Sequence, residues 1–260
     1  MVFENAAAGV RLRATPIVRD SGDTIGRYDH AFIAVSLFNS YYSTRRLETL
    51  IRWANHAFAS SHLPIFDLPH AYTLSAQRGS SDGVVRRVLE EGRKLRNRVA
   101  KIRAGHAIDG RRHKILSWTD LVANRDYMTV RTDVERAYLE DRRLRDACLD
   151  MAGTLVATPA GDGSHGESAR RLAVRYLLDE LPLLVDSPRI LGAPASAFLY
   201  HRAPALMTDL FGGRFTLKPS EFQGYFVVED DREARPAARP DDPEHAPFAP
   251  EHARMTEDAI

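Results

Sequence analysis

The chain is poor in cysteine. Cys148 is the single one among 260 residues, so an internal disulfide framework is excluded and a reducing compartment is expected. It falls among apolar residues of a helical pattern, where a small core side chain is expected rather than a reactive thiol. No apolar run approaches the roughly 20 residues that a membrane-spanning helix needs. The start, MVFENAAAGVRLRATP, has no basic beginning followed by a long apolar stretch, so no secretory leader is expected and the chain is placed in the cytoplasm. His-Glu-x-x-His, Cys/His clusters and a Walker sequence are also missing, as is a G-x-S-x-G elbow around Ser36. Neither a metal, another cofactor nor a hydrolase triad is expected.

What is present begins with charge. The formal net charge of +1 conceals an asymmetry: from Glu229 onward, ten acidic residues stand against four basic ones, which leaves about +7 on residues 1 to 228. Five prolines interrupt the same acidic stretch, so residues 229–260 are expected to be a disordered tail. The body is moderately basic, which makes a polyanionic partner worth testing.

HAFIAV, residues 30 to 35, is a short apolar run and predicts a buried strand. SLFNSYYS follows, and Leu47, Leu50, Ile51, Ala54 and Phe58 then recur at helical spacing, with Ser43 placed as the cap. LPIFDL (63–68) and KILSW (114–118) predict strands, with a helix from Gly83 to Arg103 between them. A long helical pattern covers 128–157, and another covers 168–181, stopped by Pro182. RILGAPASAFLYH and RFTLKPSEFQGYFVV supply late strand-like runs. Strands alternating with helices predict an α/β fold, a Rossmann-like parallel sheet flanked by helices. Ligands of such sheets bind beyond the carboxyl ends of the strands, where both SLFNSYYS and Tyr200-His201 would lie.

Within the helix from Gly83, Val84, Val88, Leu95, Val99 and Ile102 cover a ~60° arc at about 100° per residue. Arg87, Lys94, Arg98 and Lys101 fall on a neighbouring arc, with Arg86 and Arg93 roughly opposite the apolar stripe. Between Arg86 and Lys114 eleven Lys and Arg stand against three acids, too uniform in sign for a face built for solubility alone. A solvated charged face is the plain alternative to a phosphate-binding one. GDGSHG (161–166) matches G-x-G-x-x-G, but a long helix precedes it and Glu180 sits inside the next, so an interhelical loop is expected instead. Tyr176 and Glu180, four apart, share a helix face. They are either a surface pair or a device for holding an ammonium group.

Ser36 with Asn39 in SLFNSYYS, Tyr176 with Glu180 in YLLDE, and Tyr200 with His201 in LYH occur in an order and spacing that resemble the cyclodipeptide synthases. Asn39, Tyr200 and His201 are similar to the signature of that family's Asn-Tyr-His subfamily. The resemblance spans about residues 28–228, leaving residues 1–27 as an N-terminal arm. It implies a monomeric fold related to class I aminoacyl-tRNA synthetase catalytic domains that uses no ATP. It also implies two aminoacyl-tRNAs as substrates and a 2,5-diketopiperazine as product, with Ser36 as the covalent nucleophile.

By the same resemblance Tyr176 and Glu180 anchor the α-amino group, Tyr200 relays a proton, and Asn39 and His201 position the reacting groups. Phe32, Ala34, Pro64, Trp118, Leu183 and Leu184 would line the first aminoacyl pocket, where a tryptophan favours a small side chain. Met151, Thr158 and Phe198 would border the second, with Arg202 either pairing an acidic side chain or touching a tRNA phosphate. Arg86, Arg87, Arg93, Lys94, Arg96, Arg98, Lys101 and Arg103 would hold the tRNA acceptor arm. A non-catalytic RNA-binding module and a serine esterase are the competing expectations.

Overall fold

The computed structural model of the chain describes residues 2–5, 10–18, 25–78, 83–157 and 166–230. The stretch 231–260, and with it nearly all of the expected acidic tail, lies outside them, as does the loop at 161–165. Seven strands form one sheet: β1 (Val2–Asn5), β2 (Val10–Pro16), β3 (His30–Ile33), β4 (Ser60–Ile65), β5 (His113–Ser117), β6 (Ser196–Tyr200) and β7 (Gln223–Asp230). Their order across it is β1-β2-β7-β6-β3-β4-β5. The run from β7 to β5 is parallel throughout. Taken in chain order, these five strands give the 3-2-1-4-5 arrangement of a doubly wound fold, whose switch point lies between β3 and β6. The sheet is mixed rather than wholly parallel, because β1 and β2 from the N-terminal arm add antiparallel to β7 at one edge.

Side chains of the central strands alternate between two cores. Ala31, Ile33 and Val35 face α1 (Thr44–Ala57) and α3 (Val84–Gly105), while Phe32 and Ala34 face the opposite layer. That second layer comprises α4 (Trp118–Val122), α5 (Arg125–Glu140), α6 (Arg142–Val156), α7 (Glu167–Leu191) and α8 (Ala205–Phe211). The predicted stripe of α3 is the buried one, joined by Gly92. A Cβ on Gly92 would stand 2.7 Å from that of Asp67, so α3 crosses α2 (Asp67–Arg78) at close range.

Several expected boundaries shift for local reasons. The second strand ends at Ile65 and Asp67 already opens α2, a helix the apolar pattern did not signal. The expected helix over 128–157 is two: Asp141 ends α5 and caps α6, accepting from the N–H groups of Arg143 and Leu144. The late strand-like runs contract to β6 and β7, and α8 lies between them.

Pro182 does not stop α7. The helix runs through it, fully buried, and breaks at Asp186, whose φ of −154° and ψ of 57° are non-helical. Asp186 then caps the last segment by accepting from Arg189 N–H. The Val185 carbonyl, released by the break, accepts from Ser220 N–H at 2.8 Å.

Candidate active site

Ser36 stands three residues beyond β3, and Tyr200 ends β6, the adjacent strand across the switch point. Their hydroxyls meet at 2.9 Å. The turn between β3 and α1 holds Phe38 in the left-handed region, φ 59°, a strained conformation for a non-glycine residue. Ser43 then caps α1 by accepting from Arg46 N–H, as the sequence predicted.

A small cavity of about 30 Å³ opens beside Ser36, bordered by Tyr176, Glu180, Tyr200, Arg202 and the apolar Met151, Leu155, Leu184 and Phe198. Tyr176 and Glu180, one turn apart on the buried face of α7, point into it together. The Tyr176 hydroxyl donates to the Glu180 carboxylate. Burial raises Glu180 to about 7, against the opposing effects of that hydrogen bond and of the nearby Arg202 charge. Burial likewise holds Tyr200 above the usual phenol range, although Ser36 and Arg202 hydrogen-bond to it. Tyr200 is therefore a neutral hydroxyl that can accept one proton while giving another. The Arg202 guanidinium sits in the cavity wall with its Nε buried and without a hydrogen-bond partner among the described residues. Tyr225 donates to the Arg202 carbonyl at 2.7 Å and fixes its backbone.

The other expected site residues divide. His201 is not in this cavity but on the far side of Tyr200, stacked on Tyr41 at 4.2 Å with its Nδ1 3.0 Å from the Tyr42 hydroxyl. Burial lowers it to about 3, so it is neutral. Asn39 accepts from Tyr41 N–H, folding the turn that carries Ser36 rather than bordering the cavity. Phe32, Ala34 and Leu183 lie in the sealed core. Phe32 stacks on Phe198, which stacks in turn on Tyr225. Pro64 is buried on β4, and Trp118 packs edge-on against Tyr127. Thr158 lies outside the described residues. Of the apolar lining expected, Met151, Leu184 and Phe198 are the ones at the cavity.

On α3, Arg86, Arg87, Arg93, Lys94 and Lys101 are exposed, while Arg96, Arg98 and Arg103 are half-buried. Lys94 pairs with Glu91 at 2.6 Å, and the other face of the helix is anchored by its apolar stripe. The structure adds His70, Thr73, Met207 and Tyr225 to the cavity wall. His70 is buried edge-on against Tyr176 and lowered to about 4. It escaped the sequence because it rides on α2, whose sequence alternates polar and apolar residues without a strong helical stripe.

A family model described as cyclodipeptide synthase matches residues 12–230. The cyclo(L-leucyl-L-phenylalanyl) synthase of Streptomyces noursei is 30% identical over 204 residues, which is 78% of this chain and 85% of that protein. A Mycobacterium tuberculosis protein, whose structure demonstrates that cyclodipeptide synthetases are related to type I tRNA synthetases, superposes with a TM-score of 0.73. It is 25% identical over 86% of this chain and 94% of its own. A cyclodipeptide synthase from Candidatus Glomeribacter gigasporarum, solved bound to Phe-tRNAPhe, shares the fold at a TM-score of 0.54 and 15% identity, covering 82% and 92%.

Proposed function

The chain belongs to the cyclodipeptide synthase family, and from that premise we propose that it joins two aminoacyl groups, each delivered on tRNA, through a covalent intermediate on Ser36. The observation that carries the covalent step is the Ser36–Tyr200 hydroxyl pair, 2.9 Å apart, in the cavity that also holds Tyr176 and Glu180. The delivery by tRNA is supported by the relative solved with Phe-tRNAPhe and by the predominantly basic surface of α3.

Ser36 Oγ attacks the ester carbonyl of the first aminoacyl-tRNA. The carbon–oxygen bond to the ribose breaks, and the ribose oxygen takes the proton that Ser36 releases, passed through Tyr200. The α-ammonium of the seryl ester rests on Glu180 and Tyr176, then loses a proton to act as a nucleophile. Glu180, with its pKa near 7, is matched to receive it. The amine attacks the second aminoacyl ester, the carbon–oxygen bond to that ribose breaks, and the ribose oxygen leaves with the proton the amine gives up, so that a dipeptide remains on Ser36. The terminal amine of that dipeptide closes the ring on the seryl ester, and Ser36 regains its proton through Tyr200. Both bonds form at the expense of activated esters, so no ATP enters. At about 30 Å³ the cavity has room for little more than a water. Side chains around it must move to admit substrate.

Expression in a bacterium followed by mass spectrometry of the medium tests this. Cyclic dipeptides are expected from the natural chain and none from Ser36→Ala. Soluble protein that binds tRNA yet yields no cyclic dipeptide would instead favour an RNA-binding module. Hydrolysis of simple esters without tRNA would favour an esterase. The sequence-based preference for a small first residue rests on Trp118, which does not border this cavity, whereas an acidic second residue, one of the two alternatives for Arg202, is supported by Arg202 in the cavity wall with its Nε buried. An Arg202→Ala variant should lose glutamyl transfer from individually charged tRNAs; unchanged transfer removes the assignment.

A further inference from the structure

A second cavity among the described residues is larger than the one at Ser36. A groove of about 360 Å³ lies on the other side of Tyr200, which borders both. That volume falls within the roughly 300–1,000 Å³ of small-molecule sites. Nothing in the mechanism above uses it, apart from Tyr200 at the divide.

Its wall combines flat faces, positive charge and hydrogen-bonding groups. Tyr41 stacks on His201 at 4.2 Å, and the Arg46 guanidinium carbon lies 4.4 Å from the Tyr41 ring centre. Arg45, Arg46 and Thr49 come from α1, and Asp230 closes the opposite edge from β7. The tautomer of His201 is fixed by its neighbour. The single hydroxyl proton of Tyr42 goes to the Ala34 carbonyl at 2.9 Å, so the 3.0 Å contact with His201 requires His201 Nδ1 to donate. His201 Nε2 is then a bare acceptor in a residue that lines the groove. Guanidinium and aromatic planes suit a base, two cations suit a phosphate, and a ring nitrogen plus a carboxylate suit amine or hydroxyl donors. Together these are the requirements of a nucleotide.

We propose that this groove binds the 3′-terminal adenosine nucleotide of the aminoacyl-tRNA. The inference rests on the function proposed above, because the direction of the substrate decides it. The acyl carbon must reach Ser36 Oγ, and the terminal ribose is one ester bond away. The Ser36 cavity must accommodate the aminoacyl group, so the ribose lies over Tyr200 and the base and phosphate continue into the groove beyond. Arg45 and Arg46 supply charge to the phosphate, and His201 Nε2 accepts from the adenine amine. His201 is then a positioning residue for substrate, which accounts for its place away from Ser36. The α3 face, on a different element, would hold the duplex part of the acceptor arm.

Two deacylated tRNAs provide the test, one with its terminal adenosine and one trimmed of it, each titrated directly for binding and as a competitor of cyclodipeptide formation. The natural chain should bind the intact tRNA about tenfold more tightly than the trimmed one. Arg46→Ala and the more exposed Arg45→Ala should each shrink that ratio toward one, with circular dichroism confirming the fold. Arg93→Ala on α3 should weaken both tRNAs and leave the ratio intact. A ratio near one in the natural chain, or one unmoved by either groove substitution, overturns the proposal. Adenosine monophosphate and ATP form a further arm. If either occupies the groove as tightly as intact tRNA while trimming changes nothing, the site serves a free nucleotide and the tRNA assignment fails. The binding titration needs no turnover, so an absence of cyclic dipeptide would count against the proposed function and leave the ratio to judge the groove.

Discussion

Glu180 carries the sharpest conflict between folding and function. Its carboxylate is held in a cavity that raises it to about 7, so in the empty site it is mostly neutral below that pH. Holding an α-ammonium needs the anion. The kcat/KM for aminoacyl-tRNA is therefore expected to fall as pH drops below about 7, and Glu180→Gln should abolish product at every pH. The sign for stability is opposite. A carboxyl whose folded pKa is raised disfavours the native state increasingly as pH rises from the unfolded value of about 4.3 through 7. Allowing for partial exposure, Glu180→Gln is expected to gain on the order of 2 kcal/mol at pH 8. Thermal melting at pH 5 and pH 8 checks this: the gain should appear at pH 8 and shrink at pH 5. At this scale the sequence went far, since Ser36, Tyr176, Glu180 and Tyr200 converge as the motifs implied. It could not separate Asn39 and His201 from them. Both follow or adjoin a motif residue in the chain, yet the turn and the strand end direct them elsewhere.

Among the elements, the crossing of α2 and α3 is the most exposed to a single change. Adding a methyl at Gly92 drives a carbon into Asp67, whose Cβ is close to backbone and cannot swing aside. Gly92→Ala, normally favourable inside a helix, should here cost about 1–3 kcal/mol, read as a lower midpoint in urea. An unchanged or raised midpoint would show that α2 can shift. The same site shows why α3 was legible and α2 was not. The apolar residues of α3 repeat along one face of a long helix, whereas α2 is buried on several sides by α3 and α7 and so presents no single stripe. α7 departs from expectation for a related reason. Proline inside a helix costs roughly 3 kcal/mol, which normally argues for a stop. Leu177, Leu181, Leu183 and Leu184 are all fully or almost fully buried around Pro182, and that burial outweighs the lost hydrogen bond.

Across the whole molecule, the two ends of the sheet differ in kind. The carboxyl ends of the strands hold the reactive groups, while the opposite ends are tied by a buried polar chain. His30 bonds Ser196 at 2.7 Å and His62 at 2.8 Å, and Ser187 and Gln223 continue it. Burial lowers His30 to about 3 and His62 to about 4, and each is neutral in the native state. Unfolded histidine takes a proton near pH 6.5, so the unfolded chain binds more protons below that value. The contribution of this pair to stability should be constant above about pH 6.5 and fall toward pH 4, by up to about 1.4 kcal/mol per pH unit for each histidine, opposite in sign to that of Glu180 over the same range. Urea midpoints between pH 7.5 and 4.5 measure it, and His30→Gln should flatten the slope. A pH dependence left unchanged by His30→Gln would mean that the pair titrates normally.

The sequence by itself determined which residues are buried along β3 and α3 and where α1 is capped, and its resemblance to a family implied which hydroxyl and carboxylate belong to one site. These follow from local periodicity and from motifs whose members are fixed along the chain. The tertiary structure alone decided that β1 and β2 extend the sheet, that α7 passes Pro182 to break at Asp186, and that Tyr200 divides a cavity from a groove. Each depends on contacts between segments far apart in the chain. Burial and strand pairing there set the balance against local preference, and no stretch of sequence contains both partners.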